Sequence, residues 1–526
     1  MKTKVMAACI VSCLFLAGAF GQTIDISGKV VDETAVPVTG ASVALTKGGI
    51  SGLSSAAGAY HLSSTPVRAF QSSQGESAPV FMRGSDLCMQ CGSQTRVGVQ
   101  LFGLDGRVLA SKPAVLLGPG THVVAGGLFF REIRSFACGI LVVTAGDHRY
   151  NLRVTLVGGG ILAGASGSAA GLTPRLSKTA ADTIADTLRI VKAGYDTVKV
   201  CLGRLVDTMP DVYLTTPAGY PRMIINNATT ILTLYKPDAK NGYSRGTRFD
   251  WSGIIGKAQN KGHTWYGDYT LGSHDPLSEG TGTAGEFGID SATGYSGTQP
   301  FLKIGVGKLQ GTGGSYDFRA NYQILDPGVW NIVRGKYWVQ FTHVLTAFSG
   351  YNYNYVKRIT VADTAPSYSI DFDLTNTGTK NIVTDHYTHN FTLIDDKPVA
   401  GNYQVTFGFA PILPGGSNQT SSPGSWGSMS TISGKVISVT STLSGSDYLW
   451  ASFGGIPATV AANTAIVSET TGKAALKLEC NWVPCKYNFW ASPRSICPEP
   501  YISVKLNPGA EITWKDTYTL YPDGVQ

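Results

Sequence analysis

Two polar sites in the second half of the chain carry side chains suited to proton transfer. One is Cys497-Pro498-Glu499-Pro500-Tyr501, in which a carboxylate stands between two prolines. Proline fixes its own φ and restricts the residue before it, so we expect Glu499 to be held in place. The other is the run of residues 384–391, which contains His386 and His389. A fixed carboxylate and an imidazole on a strand suit the roles of general base and general acid, provided that they meet.

The composition predicts that β-strands position these side chains. Only 15% of the 526 residues are charged, whereas 43% are hydrophobic and 64 are glycine. This profile is typical of twisted antiparallel sheets with many turns, and it argues against a helical bundle or a disordered chain. A chain of this length is expected to form two or more domains.

Residues 1–21 have the pattern of a secretory signal peptide. Lys2 and Lys4 precede an apolar core, and small residues follow it. The apolar run is short for a membrane span, and no later segment reaches about 18 apolar residues. We therefore expect an exported bacterial protein, either secreted, periplasmic or at the cell surface, with no membrane span.

The charge distribution bears on the binding partner, and the cysteine count bears on disulfide bonds. The formal charge of +7 falls to about +5 without the signal peptide, and no basic block is interleaved with aromatic residues, so nucleic acid is not an expected partner. Two of the nine cysteines lie in the predicted signal peptide. The other seven are an odd number, so at least one of them cannot be in a disulfide within the chain. The lone Cys88-Met-Gln-Cys91 motif is interpreted as a local disulfide or as two bystander thiols.

Residues 23–215 are predicted to form a small β-sandwich with an insertion. The motifs at residues 28–32, 37–43 and 58–60, with a matching end at residues 186–200 and 211–214, resemble the carboxypeptidase regulatory-like domain. Between them, residues 80–156 indicate a small β module, and the Gly-, Ala- and Ser-rich residues 157–171 indicate a flexible connector. We expect these modules to serve attachment, spacing or stability.

Residues 222–526 are predicted to form one large β domain. Strand candidates recur along it, for example at residues 230–235, 356–361, 502–506 and 512–521, with no helix-length interruption. This count predicts two large packed antiparallel sheets, and an all-β fold for the whole chain.

Five motifs of this domain resemble the galactose mutarotase-like (aldose 1-epimerase-like) superfamily, whose fold is a β-supersandwich. They lie at residues 245–253, 285–288, 372–378, 386–391 and 497–509. In the superfamily a His on a mid-domain strand acts as general acid and a Glu near the C-terminus as general base. His389 and Glu499 occupy the matching positions. The resemblance also implies a carbohydrate ligand, a contribution from Arg248, and neither a metal nor an organic cofactor.

One position departs from the pattern of that superfamily. A further His is usual in the first half, where this chain has Glu286, and His274 lies nearby but outside the motif. Glu286 is interpreted as a ligand of sugar hydroxyls or as a second carboxylate, which would permit hydrolysis if it faced Glu499 across a sugar. Arg248, Glu286, His274 and His386 form the predicted substrate-binding set.

These residues also have purely structural interpretations. Glu499 would then be a strand-edge charge, His389 and His386 would be core or neighbouring structural histidines, and Arg248 would pair with Asp250 or another carboxylate. Five aromatic residues are candidates for stacking on a sugar, although burial is the default for them in a β core: Trp251, Trp265, Tyr266, Trp482 and Trp490.

Three functions remain open from the sequence, and carbohydrate is the expected partner in each. The first is an enzyme of the aldose 1-epimerase type that interconverts anomers. The second is a polysaccharide lyase or glycoside hydrolase, favoured by export, by the accessory β modules and by the missing first-half His. The third is a non-catalytic glycan-binding protein of the cell surface.

Overall fold

The computed structural model describes residues 23–64, 80–83, 86–91, 93–103, 108–125, 138–145, 148–157, 160–163, 184–269, 273–289, 295–413, 419–422 and 426–525. The predicted signal peptide and most of the predicted connector lie outside these residues. Nearly all regular structure in them is β-strand, which confirms the predicted all-β fold class. The described residues contain no helix with the length and apolar character needed to cross a membrane.

The chain divides into two compact units, Arg68–Leu176 and the remainder. The strands before residue 184 are, in chain order, β1 (Ile24–Val31), β2 (Ser42–Leu45), β3 (Ser51–Leu53), β4 (Ala59–Ser64), β5 (Val80–Arg83), β6 (Asp86–Cys91), β7 (Thr95–Gly103), β8 (Val108–Leu117), β9 (Gly120–Ala125), β10 (Cys138–Ala145), β11 (His148–Val157) and β12 (Gly160–Ala163).

Strands β5–β12 form the unit Arg68–Leu176. They make a five-stranded sheet in the order β12-β11-β10-β7-β8 and a three-stranded sheet in the order β5-β6-β9. Leu87, Met89, Val97, Val99 and Val143 are buried in this unit. Part of the segment predicted as a connector is strand β12, because its backbone pairs with β11.

The segments on either side of this unit in the sequence join to form a β-sandwich. Its later strands are β13 (Asp186–Val191), β14 (Val198–Leu202), β15 (Val206–Thr208) and β16 (Val212–Tyr213). One sheet pairs β1 with β15, β16 and β4, with β15 and β16 parallel to β1, and the other has the order β14-β13-β2-β3. Alternating residues such as Ile26, Val43 and Leu188 are buried in its core. The resemblance to a carboxypeptidase regulatory-like domain stays a prediction.

The remaining strands belong to the C-terminal domain. In chain order they are β17 (Arg222–Asn226), β18 (Thr230–Tyr235), β19 (Ile254–Asn260), β20 (His263–Thr264), β21 (Gly282–Phe287), β22 (Pro300–Lys303), β23 (Gly307–Gln310), β24 (Gln323–Asp326), β25 (Val329–Arg334), β26 (Trp338–Phe348), β27 (Tyr351–Val361), β28 (Ser367–Asn376), β29 (Ile382–Phe391), β30 (Tyr403–Phe407), β31 (Gln419–Ser422), β32 (Ser430–Ser433), β33 (Val436–Val439), β34 (Tyr448–Ser452), β35 (Thr464–Glu469), β36 (Ala474–Cys480), β37 (Lys486–Ser492), β38 (Ser495–Leu506) and β39 (Glu511–Tyr521). The helices described are an α-helix at Trp426–Met429 and 3-10 turns at Ile394–Asp396 and Val460–Ala462.

Two large antiparallel sheets make up most of this domain. One has six strands in the order β21-β29-β38-β37-β34-β31, and the other has ten in the order β25-β26-β27-β28-β39-β36-β35-β30-β33-β32. Side chains of the two sheets share one apolar core that includes Phe287, Phe372, Tyr487 and Trp514. Alternate residues of β27 are buried along its whole length, as expected for a strand with one face on a core.

Candidate functional site

A cleft of about 910 Å³ lies on the face of the six-stranded sheet that points away from the ten-stranded sheet. Successive side chains of a strand point to opposite faces, so each strand contributes alternate residues to the cleft. In β29 the odd-numbered residues from 385 to 391 line the cleft. The even-numbered Thr388 and Asn390 instead bond to Asp516 and Tyr518 of β39 in the ten-stranded sheet.

The structure brings the two predicted catalytic residues together in this cleft. Strands β29 and β38 are neighbours, and Tyr387 lies opposite Tyr501, two residues from His389 and Glu499 respectively. Nε2 of His389 lies 3.2 Å from Oε1 of Glu499. Both residues line the cleft, yet each is only 4% exposed.

Burial determines the protonation of this pair. Loss of hydration raises the pKa of Glu499 to about 8, although Arg248 opposes the shift. Burial, and then repulsion from Arg248, holds the pKa of His389 well below its ordinary value. At neutral pH the pair therefore has a protonated carboxyl group and a neutral imidazole. Nε2 of His389 is the ring nitrogen that meets Glu499, whereas Nδ1 is buried and has no hydrogen-bond partner among the described residues.

An asparagine bridges two strands next to the proline-flanked carboxyl group. Strand β38 contains Pro498, Glu499 and Pro500, whereas the sequence predicted a strand only from residue 502 onward. Proline has no N–H for a neighbouring strand, which makes it rare inside a sheet. The regular pairing with β29 stops short of these prolines. There the side-chain amide of Asn390 donates to the carbonyl oxygens of Pro498 and Thr388, which links the two strands beside Glu499.

Glu286 of β21 is the centre of a second polar cluster in the cleft. Its Oε2 accepts hydrogen bonds from Nε of Arg248 at 2.9 Å and from the hydroxyl of Tyr387 at 2.6 Å. Arg248 also donates to the Tyr387 hydroxyl at 3.2 Å, and Nζ of Lys303 lies 3.7 Å from Oε1 of Glu286. The carboxylate is therefore surrounded by three donors and is held in one orientation.

The two carboxyl groups of the cleft differ in protonation because their neighbours differ. Burial alone would raise the pKa of Glu286, but the cations of Arg248 and Lys303 bring it below its ordinary value. Burial also lowers the pKa of Lys303 to about 8, with Glu286 opposing that shift. Glu286 is thus an ionised acceptor and Glu499 a protonated acid. Their strands flank β29, so one strand separates the two groups on the same face.

Aromatic side chains line the part of the cleft beyond the acid–base pair. Trp490 of β37 is the cross-strand neighbour of Trp450 of β34, and both are partly exposed, as are Tyr448 and Tyr269. The Trp490 ring lies 5.5 Å from the imidazole of His389 and 5.6 Å from the Tyr269 ring. Aromatic surface therefore adjoins the acid–base pair directly.

His386 does not belong to the predicted substrate-binding set. It lies on the opposite face of β29 from the cleft, with only 1% of its surface exposed, and burial holds its pKa well below the ordinary value. Its imidazole packs among the rings of Phe287, Phe372 and Trp514 at 4.5–5.1 Å. The prediction is therefore corrected. Side chains alternate between the two faces of a strand, so His386 and His389, three residues apart, point to opposite faces.

His274 also lies outside the residues that line the cleft. Its imidazole stacks on the Tyr243 ring at 3.7 Å, and its Nε2 bonds to the Tyr243 carbonyl oxygen at 2.7 Å. Its Nδ1 lies 3.1 Å from Glu279, a residue that does line the cleft. The contacts of His274 are thus structural, and its predicted role as a direct ligand is corrected.

The partner of Arg248 and the positions of the aromatic candidates are also decided by the fold. Arg248 pairs with Glu286, whereas Asp250 is buried beside Lys357. Of the five aromatic candidates, only Trp490 lines the cleft. Trp251, Trp265 and Tyr266 are core residues, and Trp482 bonds to Asp516.

Several residues of the cleft and its support were missed by the sequence analysis. Tyr387 and Tyr501 could have been found, because each lies two residues from a candidate on the same strand and so shares its face. Lys303 and Trp450 carried no such signal, since their closeness to the site depends on pairing between distant segments. Asn390 directly follows His389, but its bond to Pro498 depends on the same kind of pairing. The described residues include no group of three or more His, Cys, Asp or Glu side chains placed to hold a metal ion.

Comparison with known proteins gives matches in structure alone. No family model and no curated protein matches the sequence. A galactose mutarotase-like protein from Lactobacillus casei ATCC 334 is 13% identical, covers 57% of this chain and all of its own, and has a TM-score of 0.33. A GalM/aldose epimerase homologue from C. elegans is 11% identical, with 58% and 99% coverage and a TM-score of 0.33. Galactose 1-epimerase from Lactobacillus acidophilus NCFM is 10% identical, with 64% and 95% coverage and a TM-score of 0.34.

These structures come from the superfamily that the sequence motifs resemble. At such identities and TM-scores the likeness carries no conclusion about activity or ligand. The cleft combines a one-proton His–Glu pair, a fixed anionic acceptor and an aromatic wall.

Proposed function

We propose that residues 222–526 bind a carbohydrate in the cleft and that His389 and Glu499 interconvert its anomers, as an aldose 1-epimerase does. The observation that carries this proposal is the 3.2 Å contact between the two side chains in a cleft wide enough for a sugar. Ligand pockets typically have volumes of about 300–1,000 Å³, with largely apolar walls and a few polar groups that fix orientation.

Mutarotation requires one proton to be removed and one to be supplied. The base takes the proton of the anomeric hydroxyl, so that C1 and O1 form a carbonyl group. The bond from C1 to the ring oxygen breaks with its electron pair on that oxygen, which takes a proton from the acid. Rotation about C1–C2 and reversal of both transfers close the ring as the other anomer, and the enzyme returns to its starting protonation.

In our proposal Glu499 is the acid and neutral His389 is the base. The superfamily resemblance implies the opposite assignment, but burial leaves the resting proton on Glu499. Both assignments need one proton on the pair, and groups this close titrate together. Activity is therefore expected to fall above about pH 8, where the pair loses that proton.

Arg248 and Glu286 have a different role in this proposal. Glu286 is ionised and already accepts two hydrogen bonds, so it serves to orient Arg248, Tyr387 and sugar hydroxyls rather than to transfer protons. Trp490, next to His389, offers a flat apolar surface to the C–H groups of a pyranose.

The test is polarimetry of freshly dissolved α-anomers of glucose, galactose and xylose. We expect Glu499→Gln and His389→Asn to reduce the catalysed rate by about 10²-fold or more, the scale of one general acid or base. The matched controls are Glu511→Gln on β39 and His61→Asn on β4, two exposed residues outside the cleft, and they should keep the wild-type rate. Catalysis that survives Glu499→Gln in a folded protein would refute the proposed acid.

Hydrolysis is the second candidate, favoured by the presence of one protonated and one ionised carboxyl group in the same cleft. It is less well supported, because the donors around Glu286 and its lowered pKa make this residue a poor nucleophile or base. Release of reducing ends from oligosaccharides that disappears in Glu286→Gln would favour hydrolysis over epimerisation.

The location of the protein outside the cytoplasm is also a proposal. We infer export from the signal-peptide pattern of residues 1–21. Intact-mass measurement of the protein recovered outside the cytoplasm should show a chain that lacks these residues. A full-length chain retained in the cytoplasm would refute export.

A further inference from the structure

We propose that the cleft takes an uncharged oligosaccharide of several sugar units, with one end at the His389–Glu499 pair and the other on the Trp490–Trp450 pair. This inference rests on the carbohydrate binding proposed above and adds the class of ligand. It depends on three features of the cleft: its length, its aromatic wall and its charge.

The cleft is longer than one sugar ring. Its lining includes residues from five consecutive strands of the six-stranded sheet: Glu286 on β21, His389 on β29, Glu499 on β38, Trp490 on β37 and Trp450 on β34. Neighbouring strands lie about 4.8 Å apart, so four spacings extend about 19 Å across the sheet. A monosaccharide held at the acid–base pair would leave the β34 side of the cleft unfilled.

That side carries the aromatic residues suited to further sugar rings. Trp490 and Trp450 are opposed on adjacent strands and point to the same face, and Tyr448 lies two residues from Trp450 on β34. All three are partly exposed, unlike the buried Trp251 and Trp265 of the core. Partly exposed aromatic rings in a cleft contribute large binding area at a low cost in conformational entropy.

The charge of the cleft favours a neutral glycan over an acidic one. Its cationic lining residues are Arg248, Arg319 and Lys486. Arg248 is paired with Glu286 and Lys486 with Asp385. Glu279 and Asp447 add further carboxylates, and Asp447 lies on the aromatic side. A chain of uronic acids would place its carboxylates against these acidic groups, which disfavours binding.

Calorimetric titration with sugars of increasing length tests the inference. Neutral probes are cello-, malto- and xylo-oligosaccharides of one to six units, and oligogalacturonides are the acidic comparison. For at least one neutral series we expect the affinity of the wild-type protein to rise with length over the first three or four units. Trp450→Ala should lower the affinity for the longest sugar about tenfold, as truncation of a binding tryptophan does. Trp338→Ala, a partly exposed tryptophan on β26, is the matched control and should leave the length dependence intact.

Each outcome separates this inference from the proposed activity. If monosaccharide anomers are interconverted but affinity does not depend on length, the inference fails and the activity stands. If affinity rises with length and falls in Trp450→Ala but no anomers are interconverted, the inference stands and the activity fails. Tighter binding of oligogalacturonides than of every neutral series, or an equal loss in Trp338→Ala, overturns the inference.

Discussion

Replacement of Glu499 by glutamine should remove a pH dependence of stability that the buried carboxyl group creates. Glutamine has nearly the same shape as the protonated carboxyl group and, like it, is uncharged and can donate a hydrogen bond. It cannot ionise, however, so a variant with Glu499→Gln never carries a buried negative charge at this position. The comparison therefore isolates the protonation of the pair.

The size of the effect follows from the protons bound by each state. In the native chain Glu499 keeps its proton up to about pH 8, whereas in the unfolded chain it loses it near pH 4.3. A native state that binds more protons than the unfolded state loses stability as the pH rises. Below about pH 6.5 His389 has the opposite effect on stability. Its imidazole binds a proton in the unfolded chain but stays neutral in the native protein. The net loss falls between pH 6.5 and 8 and, at about 1.4 kcal/mol per pH unit, amounts to about 2 kcal/mol.

Urea unfolding at pH 6.5, 7.5 and 8.5, followed by tryptophan fluorescence, measures this difference. We expect the wild-type protein to lose about 2 kcal/mol relative to Glu499→Gln between the lowest and highest pH. The control Glu511→Gln, at an exposed position of β39, should follow the wild type. A gap between wild type and Glu499→Gln that stays constant with pH would mean that Glu499 is already ionised in the native protein. The proposed neutral pair would then be wrong.

Two further substitutions test the support of the site. Arg248→Met removes the main cation beside Glu286, so the free energy of unfolding should fall by about 3–5 kcal/mol, and adding Glu286→Gln should recover much of it. Unchanged stability of the single variant in urea unfolding would contradict the burial of a charged Glu286. Asn390→Ala leaves the Pro498 carbonyl without its donor and should lower the free energy of unfolding by about 1–3 kcal/mol. We also expect the polarimetric rate to fall by a larger factor than the ligand affinity. Equal losses of rate and affinity would argue against a role in positioning Glu499.

The β class and the main sheets of the C-terminal domain could be predicted from the sequence because they depend on local patterns. Alternating residues and turn signals locate strands such as β18, whose predicted bounds agree with the structure. The start of β38 was predicted too late, because two prolines normally exclude a strand interior. That stretch still belongs to the sheet because it pairs residue by residue with β37, and Asn390, more than 100 positions earlier in the sequence, links it to β29.

The candidate pair was predictable for a similar reason, whereas its surroundings were not. Residue type and motif order selected His389 and Glu499, and alternation along β29 would have excluded His386. The neighbours of Glu286, however, come from segments between 17 and 101 residues away in the sequence. No local pattern indicates that Lys303 and Tyr387 meet at one carboxylate.

By itself the sequence determined the strand content, the chemical types available and the two side chains best suited to exchange protons. The tertiary structure decided which of these side chains share a face and which carboxyl group keeps its proton. Residue spacing is local, whereas protonation depends on lost hydration and on nearby charges. Both arise only when distant strands pack together.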